Sequence, residues 1–326
     1  MPLKIPSGTD LGAKMPMTRQ ESIDAPTVVV VGGANMDITG RSTQAVLASD
    51  SNPGQVHFAP GGVARNVAEN LVRLGLNTHL ISLVGDDDFG RRIVETTRGA
   101  GVNVNAVWAR PGASTAIYLS LFGPDGALIS AVNDMAIFDQ LNPLALQHHQ
   151  ALLSRASGIV ADCNLPPETL GWLLEKTSAS PVFVDAVSVT KCVRLLPWLH
   201  HIHTLKLNRA EAQTLSRRNV ADVDDARAAA LDLHCRGVGQ VVISLGEAGA
   251  CWCDAQRETG FLPSTTRTQT IVNTSGAGDA LLAGLVAAHF RQMPLKQAVK
   301  CGLACAELTL MSPLANAPDL SAALIR

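Results

Sequence analysis

The strongest constraint on the fold is the order in which apolar runs and helical patterns follow one another. Residues 27–31 read TVVVV and lead into two glycines, which is typical of a buried strand that enters a tight turn. The segment GGVARNVAENLVRLG then has helical spacing, and a second strand pattern (THLISLVG) and a second helical pattern (GRRIVETTRGAG) follow. This βαβα order predicts a parallel sheet with helices on its faces.

The rest of the chain continues this order, with one interruption. Further strands are predicted at 158–162, 182–185, 204–207 and 240–244, with helical segments such as 221–236 between them. In the interruption, two alternating runs flank Gly123-Pro124-Asp125-Gly126, which is a β-hairpin pattern. We therefore expect an α/β domain over residues 27–326, with a small β-sheet lid built from about residues 41–60 and 113–134 and a flexible tail over 1–26.

Composition excludes several classes of function. The chain has 326 residues, 26 lysines and arginines against 28 acidic residues, and a formal charge of −2, so no nucleic-acid polymer is expected as a partner. The longest nearly apolar run, Ala280–Phe290, is shorter than the roughly 18 residues of a membrane span, so no membrane partner is expected. The seven cysteines lack the spacing of a zinc site or a disulfide framework, which favours a cytoplasmic location.

The stretch NTSGAGDALLAGL, residues 273–285, predicts an anion site. A strand ending in TIVN is expected to lead into the turn, and the helix after it is apolar almost all round. The first N–H groups of a helix have no intrahelical partner and carry partial positive charge, which suits a phosphate group. Gly276 and Gly278 would let the backbone approach that group closely.

Asp279 follows these glycines in the first turn of the helix. A carboxylate there can accept the proton of an attacking hydroxyl, although an aspartate in a first turn can also serve only as a helix cap. The Walker pattern G-x-x-x-x-G-K-[ST] does not occur, and Leu281 stands where the Rossmann pattern needs its last glycine. The sequence thus favours phosphate chemistry over a nicotinamide cofactor.

The motifs GAGD and GGVARN, with the predicted lid between them, resemble the ribokinase-like (PfkB) family of sugar and nucleoside kinases over about Val28–Asp319. The resemblance implies a ribokinase-like fold, ATP as the phosphoryl donor and Mg²⁺ as the metal. It also implies that Asp279 is the general base and that the amides of Gly276, Ala277 and Gly278 form the anion hole.

The same resemblance extends to the phosphoryl acceptor. GGANMD is similar to the first sugar-binding turn of the family, which implies that Asn35 and Asp37 bind ribose hydroxyls. GGVARN is similar to the second sugar-binding element of the family, which implies that Gly61 and Gly62 lie close to the sugar and that Asn66 bonds to one of its hydroxyls. Capping of a turn or of a helix start is the alternative for these residue types.

On the nucleotide side, LKLNRAEA resembles the N-x-x-E element of the family. The likeness implies that Asn208 lies near the phosphates and that Glu211 holds Mg²⁺ through water, and an exposed helical glutamate is the alternative. SLGEAG resembles the nucleotide-binding loop, with Ser244, Gly246 and Gly249 near the phosphates or ribose of ATP, although a glycine turn after a strand has the same pattern.

Longer stretches, among them DSNPGQVHFAPGGVARN, VDAVSVTKC and IHTLKLNRAEA, resemble the family members that phosphorylate the 5′-hydroxyl of pseudouridine. In ADCN, Asn164 becomes a further candidate for substrate binding, or else a polar strand end. Another acceptor such as ribose, adenosine or a hexose stays open, as does a binding-only nucleoside sensor. The family analogy also predicts a homodimer.

Asn273 departs from the family pattern. Many members carry an aspartate at this position, where it helps to bind a monovalent cation. Asparagine keeps an oxygen and loses the charge, which argues against K⁺ activation without removing the site.

Overall fold

The computed structural model describes residues 26–177, 179–265 and 271–325. The strands are β1 (Thr27–Val31), β2 (Asn35–Ser42), β3 (Gly54–Gly61), β4 (Asn77–Gly85), β5 (Asn103–Arg110), β6 (Ile117–Phe122), β7 (Leu128–Asp134), β8 (Gly158–Asp162), β9 (Val182–Asp185), β10 (Thr204–Asn208), β11 (Gln240–Ser244), β12 (Gly249–Cys253) and β13 (Thr259–Pro263). The helices are α1 (Val63–Arg73), α2 (Asp88–Gly99), α3 (Pro143–Gln147), α4 (Gln150–Arg155), α5 (Pro167–Lys176), α6 (Val189–Cys192), α7 (Arg209–Ser216), α8 (Val223–Cys235), α9 (Ala277–Phe290) and α10 (Leu295–Met311).

A nine-stranded sheet forms the centre of the molecule, in the order β13-β12-β11-β10-β9-β8-β1-β4-β5. Its seven strands from β11 to β5 are parallel, and β12 and β13 are added antiparallel at one edge. The predicted α/β fold with a mostly parallel sheet is therefore confirmed. Strand order reverses between β1 and β8, and ligands of open α/β sheets bind in the crevice at such a switch point.

The sheet separates two apolar cores, and β1 shows how they are divided. Val28 and Val30 pack on the side of α1, α9 and α10, whereas Val29 and Val31 pack on the side of α5, α7 and α8, and all four are fully buried. Side chains of a strand alternate between the two faces, so a strand buried on both faces is apolar throughout. This burial explains the TVVVV run.

A separate four-stranded sheet, in the order β3-β2-β6-β7, forms the lid. The hairpin predicted around Gly126 is present as the antiparallel pair β6–β7. The lid also contains β2, which begins at Asn35 and not at about residue 41, because every residue from Asn35 to Ser42 pairs with β3. The GGANMD segment, interpreted above as a turn, thus continues directly into a lid strand.

One predicted element is wrong in the described part of the chain. Ile271, Val272 and Asn273 do not form the strand expected to end in TIVN, because the amides of Val272 and Asn273 both donate to the carbonyl of Leu310 at the end of α10. Thr270 and residues 1–25 of the tail predicted over 1–26 lie outside the described residues.

All seven cysteines carry free thiols, and six of them are buried. Among the described helices, none is long and apolar enough to cross a membrane.

The position of α9 depends on a close contact between two glycines. An ideal Cβ placed on Gly284 of α9 would lie 2.6 Å from the Cα of Gly302 in α10. Backbone atoms cannot move aside as the end of a flexible side chain can, so the two helices would have to separate.

We therefore expect Gly284→Ala to lower the free energy of unfolding by about 1–3 kcal/mol through overpacking. The matched control is Gly99→Ala in α2, where no atom lies within 4 Å of the added Cβ. That variant should be neutral or stabilised by up to about 1 kcal/mol, because alanine has the higher helix propensity. Chemical denaturation measures both, and equal stabilities for the two variants would contradict the close-contact interpretation.

Candidate active site

The carboxylate of Asp162 joins three segments at the switch point of the sheet. Its Oδ2 accepts hydrogen bonds from the amides of Gly33, after β1, and Ala64, in the first turn of α1, at 2.9 and 3.0 Å. Its Oδ1 accepts from the amide of Asn164 at 2.8 Å. An ideal Cβ on Gly32 would lie 2.4 Å from this carboxylate, so only glycine fits there. Burial raises the pKa of Asp162 to about 6, against the lowering effect of the backbone hydrogen bonds.

The residues predicted to bind the acceptor lie together beside this junction. Asn35 Nδ2 donates to Asp37 Oδ1 at 2.6 Å, and an ideal Cβ on Gly61 would lie 2.2 Å from Asp37 Oδ2. Gly62 precedes α1 with φ of 99°, and a Cβ there would lie 2.5 Å from the carbonyl oxygen of Gly33. The two glycine-containing segments therefore pack backbone to backbone. The Asp37 carboxylate occupies the space that a side chain at residue 61 would need. Burial raises the pKa of Asp37.

Asn66 connects the acceptor side with the GAGD turn. Its Nδ2 donates to Asp279 Oδ2 at 2.9 Å, across 213 positions of sequence. Arg65 Nη1 donates to Asn66 Oδ1 at 3.1 Å. Because arginine has no acceptor, this contact fixes the orientation of the Asn66 amide and directs its NH₂ group to Asp279.

The anion loop, defined here as residues 274–279, leads into α9. Gly276 is the residue before the helix, with φ of 81°, and an ideal Cβ there would lie 2.0 Å from the carbonyl oxygen of Ala315. Ala277 and Gly278 are the first two residues of α9, so their amides have no carbonyl within the helix to bond. Asp279 accepts from Asn66 of another helix, which argues against a role as a helix cap alone.

The electrostatic surroundings of Asp279 favour a proton acceptor that works near neutral pH. Its side chain is buried, and burial raises its pKa to about 7. The charges of Asp185 and Asp162 contribute to this increase, whereas the hydrogen bond from Asn66 and the charge of Lys206 oppose it. A base with this pKa is about half ionised at pH 7 and is still basic enough to receive a proton.

A cavity of about 360 Å³ adjoins the anion loop on the other side. It is lined by Ser244, Gly246 and Gly249 of the SLGEAG segment together with Ala277 and Gly278. Gly246 has φ of 62°, and no atom lies within 4 Å of an ideal Cβ on it. The two segments predicted separately to hold phosphate and nucleotide therefore share one cavity of the size of a small-molecule site.

Asn208 and Glu211 bond to each other at the start of α7. Asn208 donates to the Glu211 carboxylate through its backbone N–H and its side-chain amide, both at 2.7 Å, and its Oδ1 accepts from the Glu211 amide at 2.9 Å. This arrangement is a capping box, so the glutamate is buried and not the exposed helical residue weighed above. The carboxylate keeps unused lone pairs and fits Mg²⁺, which binds one or two carboxylates together with waters and substrate phosphates. Within the described ranges, no group of three or more metal-ligating side chains occurs.

Asn273 shapes the turn before the anion loop. Its Oδ1 accepts from the Ser275 amide at 2.9 Å, and its Nδ2 donates to the Pro313 carbonyl at 3.2 Å. Neither contact involves a cation, so weak or absent K⁺ activation, expected from the lost charge at Asn273, stays a prediction.

Three charged residues near the site were missed by the sequence analysis. Lys191 Nζ donates to Asn164 Oδ1 at 2.6 Å, and Lys206 Nζ donates to Asp185 Oδ2 at 2.9 Å. A lysine in the otherwise apolar strand pattern TLKLN was the available signal for Lys206. Asp185 and Lys191 gave no comparable signal, because a charged residue at the end of a strand or in a short helix does not interrupt an apolar pattern.

The assembled site has the parts that phosphoryl transfer to a hydroxyl requires. A buried carboxylate lies at the start of a helix whose free amides can hold a phosphoryl group, with Asn66 and the segments of Asp37 and Gly61 on one side and the cavity of about 360 Å³ on the other.

Comparison with known proteins agrees with this geometry. The chain matches the family described as pfkB family carbohydrate kinase over residues 25–322. It is 40% identical to the pseudouridine kinase of Escherichia coli (strain K12), over 91% of this chain and 94% of that protein. It is 38% identical to the uncharacterized sugar kinase YeiI of the same organism, over 90% of this chain and 81% of that protein.

A solved structure shows the shared fold. Ribokinase from Arabidopsis thaliana, complexed with ribose and ATP, superposes with a TM-score of 0.82 at 21% identity, covering 92% of this chain and 97% of that chain. Together with the sequence matches, these findings show that the chain belongs to the PfkB family of carbohydrate kinases, which transfer a phosphoryl group to an alcohol acceptor.

Proposed function

We propose that this PfkB-family kinase uses ATP and Mg²⁺ to phosphorylate the 5′-hydroxyl of pseudouridine. The hydrogen bond between Asn66 and Asp279 is the single observation that carries the kinase mechanism, because it links the acceptor pocket to the anion loop. The choice of pseudouridine is supported by the 40% identity to a pseudouridine kinase over nearly the whole length of both chains.

In the proposed reaction, Asn35 and Asp37 hold the ribose hydroxyls, and Gly61 and Gly62 let the sugar approach the backbone. Asn66 orients the carboxylate of Asp279. Asp279 accepts the proton of the 5′-hydroxyl as the oxygen attacks the γ-phosphorus of ATP in line.

The amides of Gly276, Ala277 and Gly278 hold the negative charge of the transferring phosphoryl group. Ser244, Gly246 and Gly249 border the nucleotide, and Asn208 lies near its phosphates. Glu211 would hold Mg²⁺ through water, and the ion supplies further charge neutralisation on the phosphates.

Asn164 is the proposed additional substrate contact. Its Oδ1 is bonded to Lys191, and its Nδ2 lies beside Gly33, where an ideal Cβ would approach it to 2.8 Å. The residue thus stands at the boundary between the β1 turn and the end of β8, close to the acceptor pocket.

A second candidate is a kinase of the same family with another acceptor, such as ribose or adenosine. This second candidate is supported by the 38% identity to YeiI, an uncharacterized sugar kinase, because that identity is nearly as high as the 40% identity to the pseudouridine kinase. A binding-only nucleoside sensor is the third candidate, and the buried Asp279 with its raised pKa argues against it.

A panel of acceptors tests the proposed function. We expect pseudouridine to give the highest kcat/KM in a coupled ADP-release assay with ATP and Mg²⁺, ahead of uridine, adenosine, ribose and fructose. Highest turnover of a different acceptor would reject the substrate assignment, and ligand binding without ADP release would support the sensor.

The variant Asp279→Asn tests the general base in the same ADP-release assay. We expect kcat to fall by about 10²–10⁴-fold, the usual contribution of a general base, with acceptor binding retained. The folded-state pKa of about 7 exceeds the ordinary value of 3.8, so ionisation of Asp279 destabilises the fold as pH rises between these values. The variant should therefore unfold at the same or a higher temperature than wild type at about pH 8, which excludes misfolding as the cause of lost activity.

The pH dependence of the rate tests the state of Asp279. Charged groups around it are Asp162, Asp185, Lys206 and Arg65. Because the base must be ionised, kcat/KM should rise about tenfold per pH unit up to about pH 7 and then level off. A carboxyl ¹³C titration that differs between wild type and Asp279→Asn would assign the group, and a flat profile between about pH 5 and 8 would contradict the assignment.

We also propose a homodimer formed through the lid sheet. Val56, Phe58, Leu119, Leu121 and Val132 occupy one face of this sheet by strand register and are 37–62% exposed. The opposite face carries Asp37 and the polar row Thr39, His57 and Ser120. One face thus serves the acceptor pocket, while the other is an apolar surface of the kind that marks a protein contact.

The dimer can be tested by light scattering after gel filtration. Wild type should have the mass of two chains, and Val132→Glu should shift it toward one chain, because a charge would be buried at the contact. The control is Leu144→Glu in α3, because this leucine lies outside the four lid strands and is 68% exposed, against 62% for Val132. A wild-type monomer at micromolar concentration would reject the proposal.

A further inference from the structure

A lysine is buried in the middle of the central sheet. Lys206 is the third residue of β10, is 7% exposed, and pairs in register with Asp185 of β9. Its neighbours Leu205 and Leu207 are fully buried apolar side chains of the opposite face. Lysine is rarely buried in this way, because an ammonium group loses its hydration. A specific interaction must therefore favour it here.

Asp185 fixes the position of the ammonium group. Lys206 Nζ donates to Asp185 Oδ2 at 2.9 Å, with 8% and 3% of the two side chains exposed. Asp185 Oδ1 accepts from the amide of Val187 at 2.8 Å, so the carboxylate is itself held. The ion pair uses one of the three N–H donors of the lysine.

The ammonium group lies against the anion loop. An ideal Cβ on Gly278 would come within 2.6 Å of Lys206 Nζ, so the missing side chain of this glycine makes the space that Nζ occupies. The neighbouring amides at the start of α9 carry partial positive charge, to which Lys206 adds a full charge. The charge of Lys206 also acts on Glu211 and Asp279.

We propose that Lys206 is a further catalytic group, whose ammonium, positioned by Asp185, stabilises the negative charge of the phosphoryl group in transfer. The inference rests on the proposed kinase reaction. The P–O bond to ADP breaks and the P–O bond to the acceptor forms, while the hydroxyl proton passes to Asp279 and Lys206 stays protonated. Electrostatic stabilisation of this kind supplies most of the catalysis of phosphoryl transfer.

The competing interpretation is an ion pair that only holds β9 and β10 together. The two interpretations separate when both charges are removed, because a buried pair can often be replaced by neutral side chains without loss of stability, whereas removal of one partner leaves the other charge unpaired.

The experiment compares Lys206→Met with the double variant Lys206→Met/Asp185→Asn. We expect the single variant to lose about 10²–10³-fold in kcat, the usual effect of removing one such donor. The double variant should recover the unfolding temperature of wild type and still lack this activity. Recovery of kcat to within about tenfold of wild type together with stability would overturn the proposal. The control is Lys300→Met in α10, an exposed lysine whose loss should leave kcat within about twofold.

Two further measurements keep this inference distinct from the choice of acceptor. Rates are taken with whichever acceptor wild type phosphorylates fastest, so that another acceptor rejects only the substrate assignment. Binding of ADP with aluminium fluoride, a mimic of the phosphoryl group in transfer, requires no turnover. Lys206→Met should weaken the affinity for ADP with aluminium fluoride about tenfold or more, while the affinity for ADP without fluoride should change by less than about twofold. Equal losses of affinity for both ligands would overturn the proposal.

The pH profile gives an independent readout. Asp279 is faced by Asp162, Asp185, Arg65 and Lys206, and removal of a positive neighbour raises the pKa of a carboxyl group. The acid limb of kcat/KM in Lys206→Met should therefore move to higher pH. In the double variant both charges are gone and their opposite effects on Asp279 oppose each other, so its acid limb should lie closer to that of wild type.

Discussion

The site depends on the carboxylate of Asp162, which accepts backbone hydrogen bonds from segments that are far apart in the sequence. It holds the turn after β1, the start of α1 and the end of β8 at one point, where the strand order reverses. Gly32 and Gly62 are required beside it, because a side chain at residue 32 would overlap this carboxylate and one at residue 62 would overlap the backbone of Gly33. A buried carboxylate that accepts three amides can stay ionised despite its desolvation, so rigidity and charge come from the same contacts.

A concentration of buried charge follows from this junction. Asp162 and Asp185 are the last residues of β8 and β9, and Asp279 lies in the first turn of α9. Lys206 and Arg65 are buried cations close to them. Asp185 and Asp162 raise the pKa of Asp279, and Lys206 lowers it. Burial, which is the largest cause, acts together with these charges to give Asp279 a pKa of about 7, which an isolated first-turn aspartate would not have. The proposed base and the proposed phosphoryl-stabilising lysine are thus two consequences of one electrostatic arrangement.

Most of the central sheet could be predicted from the sequence, because strands buried on both faces are apolar runs and the crossover helices repeat between them. The boundaries of β8, β9 and β11 match the predicted ones. Predictions failed where backbone partners decide the conformation. Asn35 begins a lid strand because β3 lies beside it, and the amides of Val272 and Asn273 donate to the end of α10 instead of to a strand. Neither partner is visible within a local window of sequence.

The sequence by itself determined the residue types of the site: a glycine-rich helix start with an aspartate, glycine pairs after the first strand and before α1, and an N-x-x-E element. These are local patterns, whose chemistry depends on residues close together in the chain. Only the tertiary structure decided that Asn66 contacts Asp279, that the SLGEAG segment and the anion loop share one cavity, and that Lys206 lies against Gly278. These contacts join segments separated by tens to hundreds of residues, so they exist only once the sheet has brought the carboxyl ends of its strands to one edge.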